Sequence, residues 1–235
     1  MAEYRTGCMV CGKPLRYLES PEQHECAYCH RVQSTNTLCE DGHFVCDHCH
    51  SLGADDAIEQ YCVRTKETDP VLMAITLMQN PVVNMHGPEH HFLVPAVLLT
   101  AYCNVTGQPD RKARLIATAR ERAGMIRGGA CGFMGDCGAA VGTGIFISLV
   151  TGATPLSYRE WQQANLVVAK SLETIAMHGG PRCCKRNTFL AIQGAVAFVR
   201  EHLGVMIPLS PAVSCVFYGM NKECKTTDCP FYPVR

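Results

Sequence analysis

Charge is scarce in this chain. Asp, Glu, Lys and Arg make up 18% of the 235 residues, and the 21 cationic and 21 acidic side chains cancel. That balance argues against a protein whose main business is gripping nucleic acid, which shows a basic excess. With 47% apolar residues the chain is compact rather than disordered. Long apolar runs are also missing. The best, Ala139 to Val150, falls short of the roughly 20 residues a membrane helix needs, so no membrane partner is expected. The first residues, MAEYRTGCMVCG, hold no apolar h-region, which predicts a cytoplasmic protein without a secretory leader. No HExxH is present, so the zinc-protease arrangement is not met. The CxxxCxxC loop of radical-SAM enzymes and a full CxxCxxC run are absent as well. No alternating strand pattern follows residue 50, and there is no repeat.

Cysteine is abundant instead, with 16 residues. Without a secretory leader, paired CxxC units in a reducing compartment point to metal rather than to disulfides. The many further thiols also suit an anaerobe. The length allows one sizeable core plus an appended module.

Residues 1–52 read as that module. Cys8 and Cys11 form one CxxC and Cys26 and Cys29 another; Cys39, His43, Cys46 and Cys49 follow. These four ligand pairs suit two tetrahedral structural zinc sites, since the CxxC turn lets both sulfurs reach one ion at about 2.3 Å. In an interleaved cross-brace, Cys8, Cys11, Cys39 and His43 share one ion and Cys26, Cys29, Cys46 and Cys49 the other. In a sequential ribbon, Cys8, Cys11, Cys26 and Cys29 share one. The cross-brace is favoured slightly, because so small a segment gains most from interlocking. His24, His30, His48 and His50 are possible substitutes, and iron suits a site made only of cysteines.

Residues 53–235 read as mainly α, a bundle of six to eight helices. Predicted helices begin near Ala54, at Pro70 behind an Asp69 cap, at Pro88, and at Pro109. Pro95 should kink the third or mark its start. A glycine-bearing apolar helix follows Asp136. Ser157-x-x-Glu160 opens the next as a capping box, and Pro181 opens the last, stopped by Gly204. An extended tail follows. The three glycines at 138, 142 and 144 imply that something approaches this helix's backbone closely.

Four constellations carry chemistry in the body. His86, Glu89, His90 and His91 lie together at a helix start, able to bind metal or move protons. Cys131 and Cys137 stand at the mouth of the glycine helix, whose positive end favours thiolates. In HGGPRCCKR, Arg182, Lys185 and Arg186 surround Cys183 and Cys184, a positive field suited to an anion. The tail carries Cys215, Cys224 and Cys229, ligands for an iron–sulfur cluster or a third zinc; a cysteine followed by Pro occurs in ferredoxin-type ligation. Cys62 and Cys103 read as core.

HGPEHHFLVPAVLLTAY, CGFMGDCGAAVGTGIF and HGGPRCCKR, after the CEDGHFVCDHCH text, resemble an uncharacterised cysteine-rich domain family of anaerobic bacteria and archaea, found alone or attached to radical-SAM enzymes. The resemblance implies a radical-SAM enzyme as a partner and no particular activity. CGAAVGTGIFISL also resembles the glycine helix of the C_GCAxxG_C_C family of small helical proteins considered redox proteins, with Cys183 or Cys184 matching a later cysteine. The place near Leu93 lacks that family's first thiol, which implies mixed His/Cys ligation here.

The residues thus favour an enzyme, or an enzyme's partner, using a cysteine-ligated metal or iron–sulfur centre for redox or sulfur-transfer chemistry. Cys131, Cys137 and Cys183 or Cys184 would ligate, with Cys215, Cys224 and Cys229 as further cofactor ligands. Glu89, His86 and His90 would handle protons, and Arg182, Lys185 and Arg186 would hold an anionic small molecule. Competing readings are a zinc-bearing scaffold that docks a protein or tRNA, and a metallochaperone.

Overall fold

A computed structural model describes residues 7–8, 13–26 and 31–233, the side chains of Cys49 and Leu52 apart. Cys11 and Cys29 of the expected ligands lie outside the described residues, as does the Cys49 side chain. The first described element is a hairpin of β1 (Leu15–Glu25) and β2 (Val32–Cys39), paired antiparallel from Leu15↔Cys39 to Glu25↔Val32. Its register breaks between Tyr17 and Glu22. Pro21, which has no N–H to donate, falls in that break. At the turn end Cys26 N donates to Arg31 O at 3.0 Å.

Eight α-helices follow among the described residues. The first, α1 (Asp47–Arg64), starts seven residues before the predicted Ala54. Its first turns are polar ligand text, which hides the helical period. It crosses the expected module boundary at 52/53, so one helix carries both the module's end and the core residues Ala54, Ile58 and Cys62. Next, α2 (Pro70–Met78) keeps its predicted cap: Asp69 Oδ1 accepts from the N–H groups of Val71 and Leu72 at 2.8 and 3.3 Å. Then come α3 (Glu89–Val105), α4 (Pro109–Ala123), a short α5 (Ala130–Phe133), α6 (Gly138–Thr151), α7 (Arg159–Met177) and α8 (Cys184–Leu203). Three expected helix starts are corrected. Ser157 bonds back to Thr154 instead of forming a capping box. Cys137, not Asp136, stands at the start of α6. Helix α8 begins at Cys184, three residues after Pro181. Beyond Leu203 the tail holds two single 3₁₀ turns, Tyr218–Met220 and Thr226–Asp228.

Helix α3 is the axis of the bundle. Phe92, Leu93, Val94, Ala96, Val97, Leu98 and Leu99 are all buried, and α1, α2, α4, α6 and α8 pack around it. Pro95 lies inside it without ending it. Having no N–H, Pro95 leaves the His91 carbonyl without its helical donor. The glycines of α6 answer that surface. A Cβ on Gly142 would fall 2.8 Å from Pro95 Cδ and 3.1 Å from His91 O; one on Gly138 would fall 2.1 Å from His91 Cδ2; one on Gly144 would meet Val168 Cγ2 at 2.4 Å and Ala164 O at 3.2 Å. Helices α3 and α7 thus pass α6 at distances that only glycine permits. Gly142→Ala should therefore destabilise. Overpacking against a backbone carbonyl costs about 1–3 kcal/mol, more than the roughly 1 kcal/mol Ala contributes in an open helix. A lowered urea midpoint with an unchanged slope is the expected reading, and a raised midpoint would contradict the close packing.

Candidate functional site

Cys8, Cys39 and His43 place their ligand atoms within 4.8 Å of one another, and they are the one such group among the described residues. The hairpin's open end makes this possible. Leu15 pairs with Cys39, Cys8 N donates to Lys13 O at 2.8 Å, and Gly42, at φ +81°, turns the chain so that His43 returns to Cys39. His43 N donates to Cys39 Sγ at 3.3 Å, and His43 Nδ1 lies 3.4 Å from the same sulfur. Burial opposes the Cys39 thiolate, but backbone N–H groups of His43 and Asp41 and the Cys8 and His43 side chains outweigh it and hold the thiol near 7. At the hairpin's other end Cys46 N donates to Cys26 Sγ at 3.3 Å. Cys8 with Cys39 and His43, and Cys26 beside Cys46, are the neighbours of the interleaved arrangement; the ribbon would join Cys8 to Cys26.

Between the hairpin and the bundle opens a cleft of about 540 Å³. Cys8 and His43 line one wall; His50, His86, His91, Arg127 and Arg182 line the other. These last come from α1 and from the chain at the starts of α3, α5 and α8. Arg182 spans the cleft, donating to the Tyr17 hydroxyl with its guanidinium 5.4 Å from the Tyr17 ring centre. His86 Nε2 lies 3.1 Å from Asn221 Oδ1 and 3.3 Å from Glu223 Oε2. Burial and the nearby Arg182 charge push its pKa down despite these acceptors.

Under the cleft Glu89 is wholly buried, with its carboxylate 3.6 Å from His50 Nδ1 and its Oε1 accepting from Asn84 N at 2.7 Å. Gly87 makes room: a Cβ there would fall 2.1 Å from Glu89 Oε2. Burial works against the Glu89 charge, yet His50 and His90 hold its pKa at about 2. Burial likewise opposes the His50 cation, and Glu89 and Asp47 raise its pKa above the usual value.

Behind the wall lie three thiols. Cys131 and Cys137 stand in each other's field, as do Cys137 and Cys184, and Arg182 acts on both Cys131 and Cys184. Asn187 Nδ2 donates to Cys137 Sγ at 3.4 Å. Burial pushes the Cys184 thiol to about 12 and raises Cys131 as well. A thiol held that high is inert on its own and becomes a ligand when a metal displaces its proton. Cys183 faces the other way, capping α8 by accepting from Arg186 N at 3.4 Å.

Several expected roles change place. His90 is enclosed, with Nδ1 3.2 Å from Thr188 Oγ1 and Nε2 3.2 Å from Asn84 O, so it holds structure instead of facing a substrate. Lys185 is fully buried and donates to Asn84 O at 2.9 Å, and burial brings its pKa to about 8. Arg186 donates to the carbonyls of Gly179 and Pro181 at 2.8 and 3.2 Å. Of the three cations expected to hold an anion, Arg182 alone lines the cleft. Sequence reasoning overlooked Arg127 and Asp47 and treated His50 as a spare ligand. Asp47 accepts from Gly128 N at 2.8 Å and ties α1 to the turn before α5. The only signal for it was its place in the ligand text.

Burial and the Lys185 charge hold the His90 pKa at about 3. The unfolded chain binds a proton there below about 6.5, so His90 contributes no pH dependence above that value and stability falls as pH drops from about 6.5 towards 3. Glu89 adds a second loss as pH falls from about 4.5 towards 2. His90→Asn should be less stable at pH 7, by about 1–3 kcal/mol for the lost buried bonds. It should also show a shallower loss between pH 6.5 and 4 in denaturant titrations. An unchanged acid slope would contradict the buried neutral imidazole.

No helix among the described residues is long and apolar enough to cross a membrane. No curated protein and no solved structure matches the chain. A family model described as a family of unknown function matches residues 58–232, from within α1 to the end of the tail. The chain therefore belongs to that family, DUF5714.

Proposed function

We propose that the chain is a metal-dependent redox or sulfur-transfer protein acting on a small anionic substrate in the cleft. One observation carries this reading: Arg182, on the cleft wall, lies in the field of Cys131 and Cys184 behind it. A cationic pocket is thereby backed by thiols that only a metal would ionise. Arg127 and Arg182 hold the anion, and His86 and His91 are the imidazoles in reach of it. Cys131, Cys137 and Cys184 are the ligands of a metal or iron–sulfur centre, and a soft donor set of this kind suits zinc or iron. Zinc in the Cys8, Cys39 and His43 group is structural, fixing the hairpin wall. Holding iron or an iron–sulfur cluster, such a centre would supply one electron at a time, refilled by a one-electron carrier protein; holding zinc, it would not. None of the three thiols lines the cleft. Electrons cross such a wall and sulfur atoms do not, which favours redox chemistry over sulfur transfer. A radical-SAM enzyme is the partner that the sequence resemblance implies.

Anaerobically purified protein should hold more metal than the N-terminal module accounts for. Cys137→Ser with Cys184→Ser should lose one centre's share of that excess while the module keeps its zinc, read by elemental analysis and acid-labile sulfide. Arg182→Ala should weaken sulfate binding about 10- to 150-fold, since a charge-assisted bond contributes about 1.5–3 kcal/mol. Colourless protein with zinc alone after anaerobic reconstitution would sink the iron–sulfur version. Unchanged metal content in the double variant would sink the centre itself.

A further inference from the structure

We propose a separate thiophilic metal centre on the opposite side of the α8 start, held by Cys183, Cys215, Cys224 and Cys229. These four residues line one small, partly open void of about 20 Å³. They come from distant text: the cap of α8, the tail at 215, and the two flanks of the Thr226–Asp228 turn. The tail folds back to bring them there. Cys215 N donates to Phe231 O at 2.7 Å, Cys224 N to Asn221 O at 3.1 Å, and Cys229 N to Thr226 O at 2.9 Å. Cys215 lies in the field of Cys183, Cys229 and Cys224.

Three further observations point to a metal. Donors are aimed at the sulfurs: Arg186 N at Cys183 (3.4 Å), Asn221 Nδ2 at Cys183 (3.6 Å) and Thr226 N at Cys224 (3.4 Å). Such bonds stabilise thiolate ligands and tune the metal they hold. Lys185 and Arg186 line the same void in the field of its thiols and offset thiolate charge, and Glu223 and Lys225 line it too. All four cysteines are free and only partly buried, unlike the core thiols Cys62 and Cys103, which are fully buried. Cys215 and Cys229 pack on the edge of the core, and all four border the same void. Four thiolates with no other donor type suit zinc, iron or an iron–sulfur cluster. No three of the sulfurs lie within 4.8 Å of one another. A single tetrahedral ion with bonds of about 2.3 Å would draw them closer together, whereas a cluster spans a wider set. The proposal is independent of the cleft reading, because it uses none of Cys131, Cys137 and Cys184.

The test uses the full chain, purified without oxygen. Cys224→Ser with Cys229→Ser should lose one centre, either one zinc or iron per chain or iron and labile sulfide in equal amounts. Cys137→Ser with Cys184→Ser should keep it, so the two readings fail separately. On the wild-type chain, alkylation mapped by mass spectrometry should spare Cys183, Cys215, Cys224 and Cys229 until a chelator is added. Full metal retention in the Cys224/Cys229 variant, or equal alkylation of the four with and without chelator, would overturn the proposal. So would a Cys224–Cys229 disulfide in the fresh protein.

Discussion

A carboxylate removed from water governs how this molecule is joined. Glu89 has no exposed side-chain surface. Such a charge costs several kcal/mol unless it is paired and hydrogen-bonded. Its partners come from different places: His50 from α1 and the Asn84 amide from the loop before α3. Because α1 begins at Cys46 and Asp47, holding His50 also holds the ligand-bearing end of the module. The glycine at 87 is part of the same constraint, since a side chain there would occupy the carboxylate's place. The hairpin that carries the candidate metal ligands is therefore seated on the bundle by α1 instead of hanging from a linker. The cleft between them is the result.

The helix starts do the rest. The N-terminal ends of α3, α6 and α8 bring positive partial charge to one region, and Arg182 adds a full one. Close packing makes that convergence possible, because α6 reaches α3 only through Gly138 and Gly142. The glycines thus act at one remove from chemistry. They bring Cys137, at the start of α6, near Cys184 at the start of α8.

Much of the helical order was legible in the sequence. Pro70 behind Asp69, Pro109, and Gly204 at the end of α8 mark real boundaries, because each acts through its own backbone. Ser157 and Asp136 misled for the opposite reason. A cap is a contact, and both residues had better partners or poorer geometry than their spacing implied. The site was legible as a set of helix starts and illegible as a surface. Adjacent charged residues in Arg182, Lys185 and Arg186 look equivalent in text. Lys185 and Arg186 lie in the first turn of α8 and are buried, whereas Arg182 precedes the helix and stays on the wall. The cleft's other side, including Tyr17, belongs to a hairpin far away in sequence, and no local pattern announces such a pairing.

Cys183 and Cys184 show the same divergence at its sharpest. They are neighbours in sequence, yet one caps α8 and looks towards the tail, while the other begins the helix and looks towards Cys137 and Glu89. Cys183 is still extended, at φ −141° and ψ 103°, while Cys184 is the first helical residue, so their side chains diverge. A Cys-Cys pair in this position cannot serve one tetrahedral site as a CxxC turn does. It can serve two sites on either side of one helix. Read this way, the tail is the second wall of a thiol compartment, built on the same helix start as the cleft. Phe217 and Phe231, its two buried aromatic anchors, stand two residues after Cys215 and Cys229 and line the same void, with Phe231 against Phe189 of α8.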